Sequence, residues 1–188
     1  MEPLLTTFIA ALLAEWGDKT QLLVIVLAAR YRRPLPILAG IAVAALANSL
    51  IAATGGIVVN SLIVLRASSL LVAIALIFAG VGGLLGGKRP DVGTQGRAGP
   101  FLTSAACFFL IEFGDKTQFL TFALSAQFNS FALAALGATA GVLAASVPAV
   151  VLGESLPQTL PVKPVRLAIA GLFLLVGLIV AVNALKLV

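Results

Sequence analysis

The chain has 188 residues, of which 61% are hydrophobic and 10% charged, and its formal net charge is +5. That balance excludes an ordinary soluble domain, in which about a quarter of the residues are charged. One cysteine, Cys107, excludes a disulfide framework, and the absence of histidine removes the commonest transition-metal ligand and general base.

A bilayer core about 30 Å thick takes roughly 20 apolar residues per helix. Six apolar blocks of that size follow one another, at residues 3–29, 35–59, 67–87, 100–126, 130–152 and 165–186. The first begins at Pro3, a residue suited to a first helical turn, and carries Glu15 and Asp18 in its middle. With no basic residue ahead of it, this block reads as a retained helix and not as a cleaved signal. Arg30, Arg32 and Arg33 follow it; the second block holds Asn48 and Ser49, and Arg66 precedes the third. The third ends in Gly80, Gly82, Gly83, Gly86 and Gly87, a spacing that marks close helix packing. Residues 88–99, with Lys88, Arg89, Pro90 and Arg97, read as a linker. The fourth block opens at Pro100 and carries Glu112 and Asp115; the fifth holds Ser146; Lys163 and Arg166 introduce the sixth, which closes at Lys186.

Basic residues favour cytoplasmic loops. Here they crowd the first, third and fifth connections, while the opposite side has only Arg66 and Lys186. The positive charge is therefore a topology signal and not a nucleic-acid footprint. It predicts cytoplasmic odd-numbered connections and both termini on the far side of the membrane.

Set against itself at an offset of 97, the chain repeats. Glu15-Trp16-Gly17-Asp18-Lys19-Thr20-Gln21 returns as Glu112-Phe113-Gly114-Asp115-Lys116-Thr117-Gln118. Pro3 pairs with Pro100, Thr6 with Thr103, Gly40 with Gly137, Ser49 with Ser146, Gly56 with Gly153 and Gly80 with Gly177. The reading is an all-α polytopic membrane protein of six transmembrane helices in two repeats, residues 1–87 and 100–188. Three spans is an odd number, so the second repeat lies upside down relative to the first. Inverted repeats of this kind recur in secondary transporters, with the site near the midplane between them.

On an unbroken helix, Glu15 and Asp18 share one face about 60° apart, Gln21 extends it, Lys19 flanks Glu15, and Thr20 points elsewhere. Four of the seven acids in the chain sit in these two membrane segments. An ionisable side chain at the bilayer centre costs at least ~2.5–3.5 kcal/mol. One reading is purely structural, with internal Glu–Lys or Asp–Lys pairs holding helices together. The charge count favours another: four carboxylates and two ammonium groups sum to −2, which one divalent cation or two protons neutralise. Carboxylate, amide and hydroxyl oxygens suit Ca²⁺ and Mn²⁺, and the lack of Cys–His clusters argues against a dedicated zinc or copper site. The expected metal ligands are Glu15, Asp18, Gln21, Glu112, Asp115 and Gln118. Lys19, Thr20, Lys116, Thr117, Asn48, Ser49 and Ser146 support them, the last three equally explained as helix-to-helix hydrogen bonding. Gly17 and Gly114 either allow close packing or let the helix unwind.

The doubled Glu-x-Gly-Asp-Lys-Thr, one copy per three-span half, resembles the Gdt family of Mn²⁺ and Ca²⁺ membrane transporters. The resemblance runs through the whole chain. It implies cation transport through Glu15, Asp18, Glu112 and Asp115 in exchange for protons. The chain looks like a compact bacterial member, without the N-terminal segments of eukaryotic ones. That implies manganese export across a bacterial inner membrane, calcium being the second candidate cargo. The expected partners are the divalent cation and the lipid bilayer, with a homodimer allowed. No resident cofactor and no enzymatic activity are expected. The competing readings are an exporter of a small amine-bearing solute and an intramembrane metal-dependent enzyme. The latter lacks a histidine base and a nucleophile elbow.

Overall fold

A computed structural model describes residues 1–86, 98–159 and 161–185. All regular structure among them is helical. Most of the expected 88–99 linker, and Lys186, lie outside the described residues.

Four helices are long and apolar enough to cross a membrane: α3 (Pro34–Asn60), α4 (Leu65–Leu85), α7 (Phe131–Leu152) and α9 (Val162–Leu185). At 1.5 Å per residue they run roughly 30–40 Å. The other two expected spans are each divided. Residues 3–29 become α1 (Glu2–Glu15) and α2 (Lys19–Tyr31), and 100–126 become α5 (Pro100–Glu112) and α6 (Lys116–Phe128). A 3-10 turn at Gly153–Ser155 and a short α8 (Leu156–Thr159) join α7 to α9. Both half-helices that leave a break end in a residue at positive φ, Arg32 after α2 and Asn129 after α6, again 97 apart. This left-handed stop is a common way for a helix to end.

Alanines fill much of the interior beside a cluster of Leu23, Ile25, Leu27, Ile37, Ile41 and Phe108, and large aliphatic residues also cover the surface. Ala11, Ala53, Ala75, Ala123, Ala138 and Ala149 are buried, whereas Leu110, Leu175, Leu178 and Ile179 face outward. Lipid is as apolar as leucine, so helices associate by close approach of small residues more than by hiding large ones. Of the glycine run of the third block, Gly80 and Gly83 do this, whereas Gly82 makes only ordinary contact, Gly86 ends α4 at positive φ, and Gly87 lies outside the described residues. Gly80 and Gly83 of α4 meet Ala170 and Leu174 of α9, and Gly177 meets Ile77 and Ala73.

The halves are interlaced. α1 packs on α7, and α5 packs on α3. A β-carbon on Gly40 of α3 would strike Phe101 O and Ser104 of α5. One on Gly137 of α7 would strike Leu4 O of α1. The two contacts correspond at the 97-residue offset. One end of the bundle gathers Arg32, Arg33, Leu152, Gly153 and Ser155 around a common cavity, and Gly86, after α4, lies against the Arg166 guanidinium. At the other end, Asn60 donates to Ala126 O at 2.7 Å, and Arg66 donates to Ala184 O and Leu185 O at 2.5 and 2.7 Å.

Candidate functional site

Each break is the same four-residue turn. After Glu15, Trp16 is extended, Gly17 takes φ +74°, and Asp18 is extended at the N-cap of α2. After Glu112, Phe113 is extended, Gly114 takes φ +78°, and Asp115 caps α6. A left-handed backbone costs an ordinary residue roughly 1–2 kcal/mol, and glycine avoids that cost. Of the two roles open to these glycines, unwinding is the one the structure displays at both. At Gly17 close packing accompanies it: a β-carbon there would stand 3.0 Å from Arg166 Cβ and 3.1 Å from Val162 Cγ1.

The glutamines hold the turns. Gly17 N–H donates to Gln21 Oε1 at 2.9 Å, and Gln21 Nε2 donates to Ala145 O at 3.2 Å. Likewise Gly114 N–H donates to Gln118 Oε1 at 2.6 Å, and Gln118 Nε2 donates to Asn48 O at 3.4 Å. Both ends of both amides are engaged with backbone. They satisfy N–H groups that the broken helices would leave orphaned in an apolar medium.

The breaks re-aim the motif side chains, so the arrangement differs from that of a continuous helix. Thr20, which an unbroken helix would point away, donates to Glu15 Oε2. Thr117, from the other half, donates to Glu15 Oε1 at 2.5 Å. Lys19 does not flank Glu15. Its Nζ lies 3.3 Å from Asp115 Oδ2, and Lys116 Nζ lies 2.5 Å from Asp18 Oδ2. The ion pairs cross between the halves, and each lysine neutralises the other motif's aspartate.

The four acids therefore fall into two kinds. Asp18 and Asp115 stand at helix N-termini, where the macrodipole is positive, and each has a lysine. Glu15 and Glu112 close the C-termini of α1 and α5, where the macrodipole is negative. Both are 2% exposed, and neither is ion-paired among the described residues. Glu15 is served by two hydroxyls, while Glu112 Oε2 is buried with no hydrogen-bond partner. Among the described residues, no three Asp, Glu or Cys side chains converge tightly enough to hold one ion.

The two motifs also differ in access. Gly114 is exposed, and Asp115 borders a cavity of about 590 Å³ lined by Ile51, Ile74, Phe78, Gln118, Phe119 and Phe122. Gly17 is covered by α9, where Arg166 Nη1 donates to Gly17 O at 3.5 Å. Asn48, Ser49 and Ser146 are all buried. Asn48 Nδ2 donates to Phe109 O at 3.2 Å, and Ser146 bonds back to Val142 O in its own helix at 2.8 Å. Asn48 and Ser49 line a small void beside Glu112.

A family model described as divalent cation/proton antiporter GDT1 matches residues 3–91 and 100–187. A Vibrio cholerae serotype O1 protein named "Putative manganese exporter" is 43% identical over 116 residues. Those residues are 61% of this chain and 57% of that protein, so the match spans little more than half of the relative's length. No solved structure matches the chain.

Proposed function

We propose that this chain, which belongs to the GDT1 family of divalent cation/proton antiporters, exports manganese in exchange for protons, with Glu15 and Glu112 as the carboxylates that carry the ion. The observation behind this reading is the division of the acids. The Asp–Lys pairs are neutral as sets and sit at the positive ends of α2 and α6. The glutamates sit at the negative ends of α1 and α5, with no ion-pair partner among the described residues. In broken-helix transporters, half-helix C-termini and unwound carbonyls are where cations are held. Two free glutamates amount to −2, the charge of one divalent cation or of two protons. The same two groups thus serve both substrates alternately.

The threonines suit that exchange. A hydroxyl donates to a carboxylate when no cation is present and can rotate to offer its lone pairs when one arrives. Thr20 and Thr117 already touch Glu15 from the two halves. Gln21 and Gln118 act through the turns they brace. Asp18 and Asp115 act through the crossed ion pairs, which must rearrange if the halves move against each other. Manganese as the cargo rests on the V. cholerae relative's name and on the oxygen-only donor set.

In this reading α1 with α2 forms one crossing and α5 with α6 another, giving six spans in two repeats of opposite orientation. The matched contacts Gly40–Phe101 and Gly137–Leu4 support it. So does the gathering of the α2–α3 and α7–α8 connections, with Arg32 and Arg33, around one cavity, an end that we place in the cytoplasm of a bacterial inner-membrane protein.

The test is purified protein in liposomes with an imposed proton gradient. Mn²⁺ should be driven against its own gradient, and Glu15→Gln and Glu112→Gln should reduce the flux to that of empty liposomes. Wild-type flux in both variants would remove the glutamates from the mechanism.

A further inference from the structure

We propose that the side-chain oxygen of Asn48 is a ligand of the transported cation beside Glu112, so that the ion seat belongs to one side of the repeat and has no twin on the other. The inference rests on the reading that Glu112 carries the cation.

Asn48 and Glu112 border one void of about 10 Å³, together with Ser49, Thr117 and Thr121. That is room for one water-sized particle, and so for an ion stripped of its water but not for a hydrated one. Two of the residues lining it carry a buried acceptor with no hydrogen-bond partner among the described residues, Glu112 Oε2 and Asn48 Oδ1. Both residues are 2% exposed. An orphaned buried acceptor is costly, and two on residues around one void call for a common occupant.

The orientation of the amide is not arbitrary. Phe109 O accepts from Asn48 Nδ2 at 3.2 Å. A carbonyl in that place demands the donor end, which leaves Oδ1 without a partner and open to a cation. Amide and carboxylate oxygens with nearby hydroxyls form the hard donor set that Mn²⁺ and Ca²⁺ accept. Neutral oxygens are needed, because Glu112 is the one acid lining the void and no three acidic or Cys side chains converge among the described residues.

The sequence repeat sharpens the argument. At the 97-residue offset the counterpart of Asn48 is Ala145. Their backbone carbonyls play matching roles, each accepting from a motif glutamine. The side chains do not match: a methyl group stands where Asn48 has its amide. The glutamates differ in the same sense, since Glu15 accepts from both threonines and Glu112 Oε2 from nothing.

Calorimetric titration of detergent-purified wild type, Asn48→Ala and Asn48→Asp with MnCl₂ decides the matter. Asn48→Ala should weaken Mn²⁺ binding about 10–100-fold. Asn48→Asp, which keeps an oxygen and gives up the donor to Phe109 O, should bind at least as tightly as wild type. Unchanged affinity in Asn48→Ala would overturn the proposal. So would equal loss in both variants, which would leave Asn48 as a tether for α5 only. If Asn48→Ala does not fold, Asn48→Asp decides alone, with retained affinity supporting the proposal and lost affinity overturning it. Glu112→Gln separates the two levels. Binding that survives this change would sink the wider reading, whereas binding that needs Glu112 but not the Asn48 oxygen would sink only this inference.

Discussion

Lys116 of the second motif lies 2.5 Å from Asp18 of the first, and the two side chains are 6% and 8% exposed. The reciprocal pair, Lys19 with Asp115, is 3.3 Å apart and more open, at 35% and 15%. Two contacts with the same residue types thus sit in different dielectric surroundings, and their removal should have different consequences.

Asp18→Asn leaves the Lys116 ammonium buried without its counter-charge. Breaking a buried pair from one side costs about 3–5 kcal/mol. Asp115→Asn frees a lysine that is already a third exposed, and an exposed pair contributes about 0–1 kcal/mol. Thermal unfolding in one detergent should therefore show a large loss for the first variant and a small one for the second. Equal losses would mean that the crossed pairs are equally solvated.

Gly40→Ala and Gly137→Ala place a methyl group against the backbone carbonyls of Phe101 and Leu4, which cannot yield as a side-chain tip can. Each should destabilise the protein by about 1–3 kcal/mol, the usual cost of overpacking. Gly171 of α9 has nothing within 4 Å of a β-carbon, so Gly171→Ala should stay within about 0.5 kcal/mol of wild type. Unfolding midpoints of the three variants test the helix contacts individually.

The distribution of basic residues predicts which loops a membrane-impermeant thiol reagent reaches. With Cys107 replaced, single cysteines at positions 30–34 or 157–164 should label only after the cytoplasmic face is opened. A cysteine at Leu62 or Asn129 should label from outside in intact cells. Labelling in the opposite sense would invert the orientation of the chain and the direction of transport.

Competition of protons and cation for the same glutamates predicts that apparent Mn²⁺ affinity weakens as the medium is acidified. Liposome flux should also follow the imposed proton gradient in sign. A Mn²⁺ flux indifferent to both pH and gradient would mark a channel or uniporter instead.

Much of this was legible in the sequence, because repeats and hydropathy are properties of order along the chain. The 97-residue offset located both motifs, and the edges of α3, α4, α7 and α9 lie within three residues of the apolar blocks. The packing role was legible for Gly80 and Gly83, but not for Gly82 or Gly86 of the same run. The partners of the motif side chains were not. Helical periodicity compares a residue only with neighbours three or four positions away, so it set Lys19 beside Glu15. The turn at Gly17 sends Thr20 back onto Glu15, and the pairing of Lys19 lies 96 residues off at Asp115. The positive φ at both motif glycines is the local cause, and a glycine in a membrane helix is too common to announce it. The void beside Glu112 escaped for a related reason. It depends on Asn48, which the repeat does not duplicate, and on an orphaned oxygen that only three-dimensional packing displays.

The interlaced contacts have a consequence for how the protein is made. When residues 1–86 have left the ribosome, α3 already presents Gly40, but the carbonyl that Gly40 receives belongs to Phe101 and has not yet been synthesised. The seat for Leu4 waits longer still, until Gly137 appears. Each half inserts with a groove fitted to a helix of the other. Contacts this distant in sequence are slow to form and leave partly built chains exposed. Expressed separately, the two halves should be labile alone and should recover only when produced together. Although the sequence is duplicated, the protein it encodes should then fold as one piece.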